Sequence, residues 1–157
     1  MPGLILMRHA AALPAAIGAS DFERPLSAPG RKEAAQAARR LAAEGVRVDR
    51  ILLSPARRTS ETAQFVATEL ALDPDALAEV PALYAATPAA IRTAIAQGHG
   101  GADVLLVVGH NPGISEIGSE LAGRQSHGHL PTAGFWRLSF DASGWQALIG
   151  RGGSASR

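Results

Sequence analysis

An α/β fold of three layers, α/β/α, with a largely parallel central sheet is the fold class this sequence predicts. Three observations predict it. Short apolar runs too dense for half-exposed strands recur along the chain, helical stretches separate them, and turn residues sit at the junctions. The strand-like runs are Leu4–Met7, Arg50–Leu53, a weak one near Glu79–Leu83, Val104–Val108 and Trp136–Phe140.

Taken in order, Leu4–Met7 is four apolar residues in a row, the pattern of a strand covered on both faces. The stretch from Arg31 to Glu44 is alanine-rich, places Ala34, Ala38 and Leu41 on one face and stops at Gly45. Ala56–Leu70 forms the next helix, followed by Pro88–Gln97 before Gly98 and Ile114–Leu121 before Gly123. Three helix starts share one grammar, Ser54-Pro55, Thr87-Pro88 and Asn111-Pro112: a capping side chain before a proline suited to the first helical turn. Two of these, at Ser54 and Asn111, follow a strand directly, where a helix amino terminus makes a ready anion site. The last strand is expected to be antiparallel, with Asp141–Gly144 as a turn and Trp145–Ile149 returning beside it.

Length and composition narrow the function classes. The 157 residues suit one domain with a proper core, expected over 1–149, and the glycine- and serine-rich tail 150–157 is expected to be disordered. A net charge of +1 gives no electrostatic footprint for nucleic acid or an anionic membrane. The absence of cysteine removes disulfides, thiolate metal sites and every cysteine-nucleophile mechanism. No window approaches the roughly 18 apolar residues that span a bilayer, so a cytoplasmic protein is expected.

Polar groups gather where strands end. Arg8-His9 stops the first run, Ser54 through Arg58 follows the second, and Gly109-His110-Asn111 follows Val107-Val108. A cation and an imidazole are expensive to bury unpaired, and carboxyl ends of strands are where α/β sheets bind ligands. Each group alone has an ordinary explanation: a loop histidine, or solvated helix charges for Arg57 and Arg58. Their conjunction at equivalent strand ends points to a site.

The blocks Leu-Met-Arg-His-Ala (6–10), Arg-Pro-Leu-Ser-x-x-Gly (24–30), Ser-Pro-x-x-Arg-x-x-x-Thr-Ala (54–63) and Val-Gly-His-Asn-Pro (108–112) resemble those of the histidine phosphatase superfamily, whose fold is phosphoglycerate mutase-like. In length and block order the chain is most similar to the small phosphohistidine phosphatase branch, the SixA type, over about Leu4 to Phe140. The resemblance implies that His9 is the nucleophile, with Arg8, Arg58 and His110 around the phosphate. It selects Arg58 over Arg57, because the family's second arginine falls four residues after the serine. Arg24 is a further candidate for the substrate phosphate or else a surface loop residue.

The chemistry suits these residue types. Phosphoryl transfer needs in-line attack and cations around the equatorial oxygens. A neutral imidazole offers one nitrogen lone pair while its other nitrogen fixes the tautomer. Arginine forks bind phosphate oxygens, and each well-placed donor is worth about 3–4 kcal/mol in such a transition state. No metal or other cofactor is expected; His127, His129 and His99 have a possible ligand spacing but no acids nearby, and the first two fit better as a loop at the pocket mouth. The candidates for a general acid that protonates the leaving group are Asp21 and Glu79, neither placed by a motif. That favours a phosphoramidate over an alkyl ester. The reading is therefore a metal-independent phosphatase acting on phosphohistidine, its partner a phosphorylated protein of the histidine phosphotransfer type or a small phosphorylated metabolite. The alternatives are a small-molecule phosphomonoesterase of the same superfamily and a phospho-ligand binding module without turnover.

Overall fold

The computed structural model describes residues 3–123, 128–140 and 144–146. Five strands, β1 (Gly3–Arg8), β2 (Arg50–Leu53), β3 (Leu77–Glu79), β4 (Val104–Gly109) and β5 (Phe135–Ser139), form one sheet in the order β3-β2-β4-β1-β5. The β2–β3, β2–β4 and β1–β4 pairs are parallel, and β5 alone runs antiparallel, along β1. The carboxyl ends of β1, β2, β3 and β4 therefore share one edge, which gathers the polar strand-end residues of four segments.

Helices α1 (Ala28–Ala43), α2 (Arg57–Glu69), α3 (Pro88–Gly98) and α4 (Gly113–Leu121) cover both faces. Strand alternation divides the core in two. Ile5, Met7, Ile51, Leu53, Leu106 and Val108 point to the side of α1 and α2, where Ala34, Ala38, Leu41, Ala63 and Val66 meet them. Leu4, Leu6, Leu52, Leu105 and Val107 point to the side of α3 and α4, against Ile91, Ile95, Ile114, Ile117 and Leu121. Unbroken apolar runs in the sequence thus mark strands buried from both sides, each large side chain contributing about 1.5–3 kcal/mol on burial.

Three expectations change. The weak third strand lies at Leu77–Glu79; the following Pro81–Leu83 is a 3-10 turn, because Pro81 cannot donate to a ladder. Trp145 does not return as a strand: Gly144–Gln146 is helical, and the buried Trp145 indole donates to the Ala102 carbonyl at 2.7 Å. The remainder of the expected return strand, most of the expected turn before it and the tail 150–157 lie outside the described residues. Finally, Ser54 and Asn111 do not cap helices: α2 begins after Ala56 and α4 after Pro112, neither with a side-chain cap.

Gly30 explains the glycine of its sequence block. A Cβ there would stand 1.9 Å from the carbonyl oxygen of Ala11, so only glycine lets the start of α1 press against the chain leaving β1.

Candidate active site

His9 follows β1 and its backbone is held on both sides: its N–H donates to the Gly109 carbonyl (3.1 Å), and its carbonyl accepts from the Ala133 N–H (3.1 Å). Its Nδ1 lies 2.7 Å from the Ala10 carbonyl. A carbonyl only accepts, so Nδ1 carries the proton and Nε2 keeps a free lone pair. Burial, with the charges of Arg58, Arg8 and Arg24, lowers the His9 pKa to about 4 despite the Ala10 bond, so the ring is neutral at pH 7.

His110 follows β4 and is buried, with its ring 5.3 Å from that of His9. Arg58 Nη2 lies 3.3 Å from its Nδ1, and Ser54 Oγ lies 2.7 Å from its Nε2. Guanidinium only donates, so Nδ1 accepts and the Nε2 proton goes to Ser54. Burial first, then Arg58 and His9, lower the His110 pKa to about 3.

Arg58 is the second residue of α2 and its side chain is only 7% exposed, whereas that of Arg57 is 58% exposed and pairs with Glu61 at 3.4 Å. The two neighbours thus divide into one buried and one surface arginine. Arg58 donates through Nη1 to the Asp21 carbonyl (2.8 Å) and through Nη2 to Asp21 Oδ2 (3.0 Å). Arg8 closes the other side, donating to the Leu130 carbonyl at 3.1 Å. Burial lowers its pKa and the nearby Glu33 raises it; Glu33 itself accepts from Ala11 N–H and Thr132 Oγ1. The Nε atoms of Arg8 and Arg58 are buried without an acceptor, so each fork retains donor capacity for an anion.

The remaining candidates separate. Arg24 comes to the site mouth, its Nη1 3.0 Å from Asp21 Oδ1 and its Nε 2.8 Å from the Leu13 carbonyl. Asp21 also accepts the Tyr84 hydroxyl on Oδ2 at 2.6 Å. The Tyr84 bond, then those of Arg24 and Arg58, hold its carboxyl well below the usual range and therefore ionised. Glu79 ends β3 exposed, in a groove lined by Ser60, Gln64 and Leu72, and has no ion pair among the described residues. His129 is exposed, while the next residue, Leu130, binds Arg8 and the Asn111 amide through its carbonyl. His99 is elsewhere, stacked on Trp145 at 5.4 Å; His127 lies outside the described residues. Among the described residues, no group of three or more histidines or carboxylates is placed to hold a metal ion.

Three residues escaped the sequence reading. Tyr84 bonds Asp21 and sets its ring edge-on to His110 (5.5 Å, 90°). Ser54 serves His110 instead of a helix. Thr62 links α2 to the site, its Oγ1 accepting from the Ala10 N–H (3.0 Å) and donating to the Arg58 carbonyl (2.7 Å). Tyr84 is the only tyrosine of the chain, and Thr62 sits in the block 54–63; both are visible signals whose partners the sequence does not declare.

Two neutral imidazoles with ring centres 5.3 Å apart, one of them bonded to the buried Arg58 guanidinium, thus stand at the carboxyl edge of a parallel sheet. The family model of the histidine phosphatase superfamily (branch 1) matches residues 4–83. The chain belongs to the histidine phosphatase superfamily. A histidine phosphatase assigned as phosphohistidine phosphatase SixA from Agrobacterium tumefaciens superposes with a TM-score of 0.80 at 27% identity, covering 89% of this chain and 93% of that one. The protein histidine phosphatase SixA complexed with tungstate gives 0.79 at 26% identity and 90% coverage of both chains. Mycobacterial glucosyl-3-phosphoglycerate phosphatase shares the fold, with a TM-score of 0.66 at 16% identity and coverage of 93% and 94%. A search of curated proteins by sequence gives no match. This histidine phosphatase is a phosphatase hydrolase with a SixA-like fold, and no helix among its described residues is long and apolar enough to cross a membrane.

Proposed function

We propose that the chain removes phosphoryl groups from phosphohistidine in proteins, passing each through His9 without a metal. The partner in this reading is a phosphorylated protein of the histidine phosphotransfer type. His9 Nε2 attacks phosphorus in line while Arg8 and Arg58 hold the equatorial oxygens, Arg24 assists at the mouth, and His110 lies alongside. The bond from phosphorus to the departing nitrogen breaks as the new N–P bond forms. A phosphoimidazole protonated on its other nitrogen leaves as neutral imidazole, so this step requires no acid from the protein. In the second step water attacks phosphorus, and the electron pair returns to Nε2. The Nδ1–H bonded to Ala10 makes His9 itself a neutral leaving group, and the water's protons depart with inorganic phosphate.

The observation that carries the substrate class is the state of Asp21. The carboxylate at this site is ionised by three side-chain donors and has no proton to give an alkoxide. The similarity to SixA structures at 26–27% identity supports the same reading.

Rapid quenching with a phosphohistidine-containing protein tests it. An acid-labile, alkali-stable phosphoryl group is expected on His9, and His9→Ala is expected to lose activity by about three orders of magnitude or more, the scale of losing a covalent nucleophile. Full activity in His9→Ala overturns the mechanism. Faster turnover of alkyl phosphate esters than of phosphohistidine overturns the substrate class.

A further inference from the structure

We propose that Asp21 is a specificity residue, its carboxylate admitting phosphoryl donors whose leaving group is neutral or protonated, such as an N-phosphorylated imidazole, and repelling those that carry a second anion. The proposal rests on the reaction set out above and deepens it. Its basis is position. Arg58 is buried, yet the Asp21 side chain bound to it is 51% exposed, so the carboxylate caps Arg58 from the solvent side. The His9 and His110 rings lie 5.3 Å apart and Arg58 bridges His110 to Asp21, so a leaving group in line with His9 and directed away from it would depart toward the Asp21 side. The leaving group therefore departs past a fixed negative charge.

The charge is fixed by an arrangement larger than an ion pair. Asp21 Oδ1 takes Arg24 Nη1, Oδ2 takes both Arg58 Nη2 and the Tyr84 hydroxyl, and the Asp21 carbonyl takes Arg58 Nη1. Tyr84 is itself wedged, edge-on to Phe22 at 5.4 Å and to His110 at 5.5 Å. It ties the 3-10 turn Asp21–Glu23 to the floor of the site. A carboxylate oxygen has two acceptor positions, and Oδ1 has one contact among the described residues, which leaves it able to accept the outward N–H of a protonated phosphoimidazole. A carboxylate or second phosphate on the substrate would meet the same oxygen as a like charge, offset in part by the Arg24 guanidinium bonded to it, and like-charge juxtaposition is an effective means of rejecting a wrong partner.

The test uses the full chain, Asp21→Asn and Tyr84→Phe, with three donors: a phosphohistidine-containing peptide, p-nitrophenyl phosphate and 3-phosphoglycerate. Asparagine retains the size and much of the hydrogen bonding but removes the charge. The kcat/KM ratio of 3-phosphoglycerate to the phosphohistidine peptide is expected to rise at least about tenfold in Asp21→Asn, the equivalent of about 1.4 kcal/mol. Tyr84→Phe keeps every charge and only loosens the carboxylate, so a rise of about threefold is expected, the smaller effect of losing one hydrogen bond. p-Nitrophenyl phosphate carries no second anion until p-nitrophenolate departs, so its ratio to the peptide is expected to rise less than that of 3-phosphoglycerate, whereas general damage lowers all three rates alike. Equal changes for all three donors in Asp21→Asn, with phospho-His9 still formed, overturn the proposal alone. If the wild-type enzyme forms no phospho-His9 from any donor, the reaction itself is wrong and the proposal falls with it. Should Asp21→Asn not fold, an unchanged ratio in Tyr84→Phe overturns it.

Discussion

Helices α1 and α3 begin after loops, and α2 and α4 take up directly behind strands β2 and β4; the two pairs start by different means. Ser27 caps α1 through the Gly30 N–H at 3.0 Å, and Thr87 caps α3 through the Ala90 N–H at 3.2 Å. Ser54 and Asn111 stand in the corresponding places before α2 and α4, but their side chains are engaged elsewhere. Ser54 accepts the His110 Nε2 proton, while Asn111 bonds the Leu130 carbonyl and the Ser115 hydroxyl. Helix starts behind loops spend their polar side chains on the helix. Those at the site spend them on orienting a histidine and closing the loop beneath Arg8. Side-chain capping is worth about 1 kcal/mol at each helix, so two uncapped helices mark where the fold gives up local stability for a site.

Between the two kinds of helix start, the first turn of α2 provides the largest expected effect. Arg58→Ala removes the buried guanidinium that reaches both Asp21 and His110, and kcat/KM is expected to fall by about 10²–10³, the scale of losing one preorganised donor to a developing charge. Arg57→Ala, one residue earlier on the exposed face, is expected to change it by less than about twofold. Arg58→Lys is expected to recover little, since an ammonium cannot reproduce the planar fork. Equal losses at the two positions would erase the distinction between the site side and the surface side of this helix start.

Acid distinguishes the site from the rest of the fold less sharply. His9 and His110 have folded pKa values of about 4 and about 3, lowered mainly by burial, against about 6.5 in an unfolded chain. Between those values the unfolded chain binds protons that the folded chain refuses. Stability is therefore full above about pH 6.5 and is lost as pH falls toward 4, by at most about 1.4 kcal/mol per pH unit for each histidine. Asp21, whose pKa is also lowered, adds its loss only below the ordinary carboxylate range. Urea midpoints measured from pH 7 to 4.5 are expected to decline, and His110→Asn to reduce the slope by about half. A level profile would mean that the two rings are not held neutral.

Much of this was legible in the sequence because it rests on local pattern. Four apolar residues at Leu4–Met7 specify a strand covered on both faces wherever it lies in the sheet, and Arg8-His9 at its end is a contradiction that a site resolves. The blocks around Arg58 and His110 add the family. What stayed hidden depends on partners distant in sequence. Ser54 before Pro55 reads as a cap until His110, 56 residues on, is seen to claim its hydroxyl. Asp21 reads as a possible acid until Tyr84, 63 residues away, and two arginines fix it as an anion. The strand at Leu77–Glu79 is hard to place from sequence because three residues at a sheet edge carry little periodicity.

The smallest effects decide whether the two kinds of helix start differ in function or only in appearance. Thr87→Ala removes one cap and is expected to cost about 1 kcal/mol of stability, with kcat/KM unchanged within about twofold. Ser54→Ala leaves the buried Nε2 proton of His110 without an acceptor, which costs a comparable 1–3 kcal/mol or so. Its stability effect alone therefore cannot tell it from Thr87→Ala, and activity must. With Ser54 gone, no hydrogen bond among the described residues holds the His110 ring opposite Arg58, and kcat/KM is expected to fall about tenfold, in keeping with the sensitivity of preorganised sites to small misplacements. Ser54→Thr, which restores a hydroxyl, is expected to recover part of that loss, whereas a purely structural role would show no such recovery in activity at matched stability. If Thr87→Ala lowered kcat/KM as far as Ser54→Ala does, both serine- or threonine-proline starts would act through the helix they precede. The strand-end position of Ser54 would then carry no chemistry of its own.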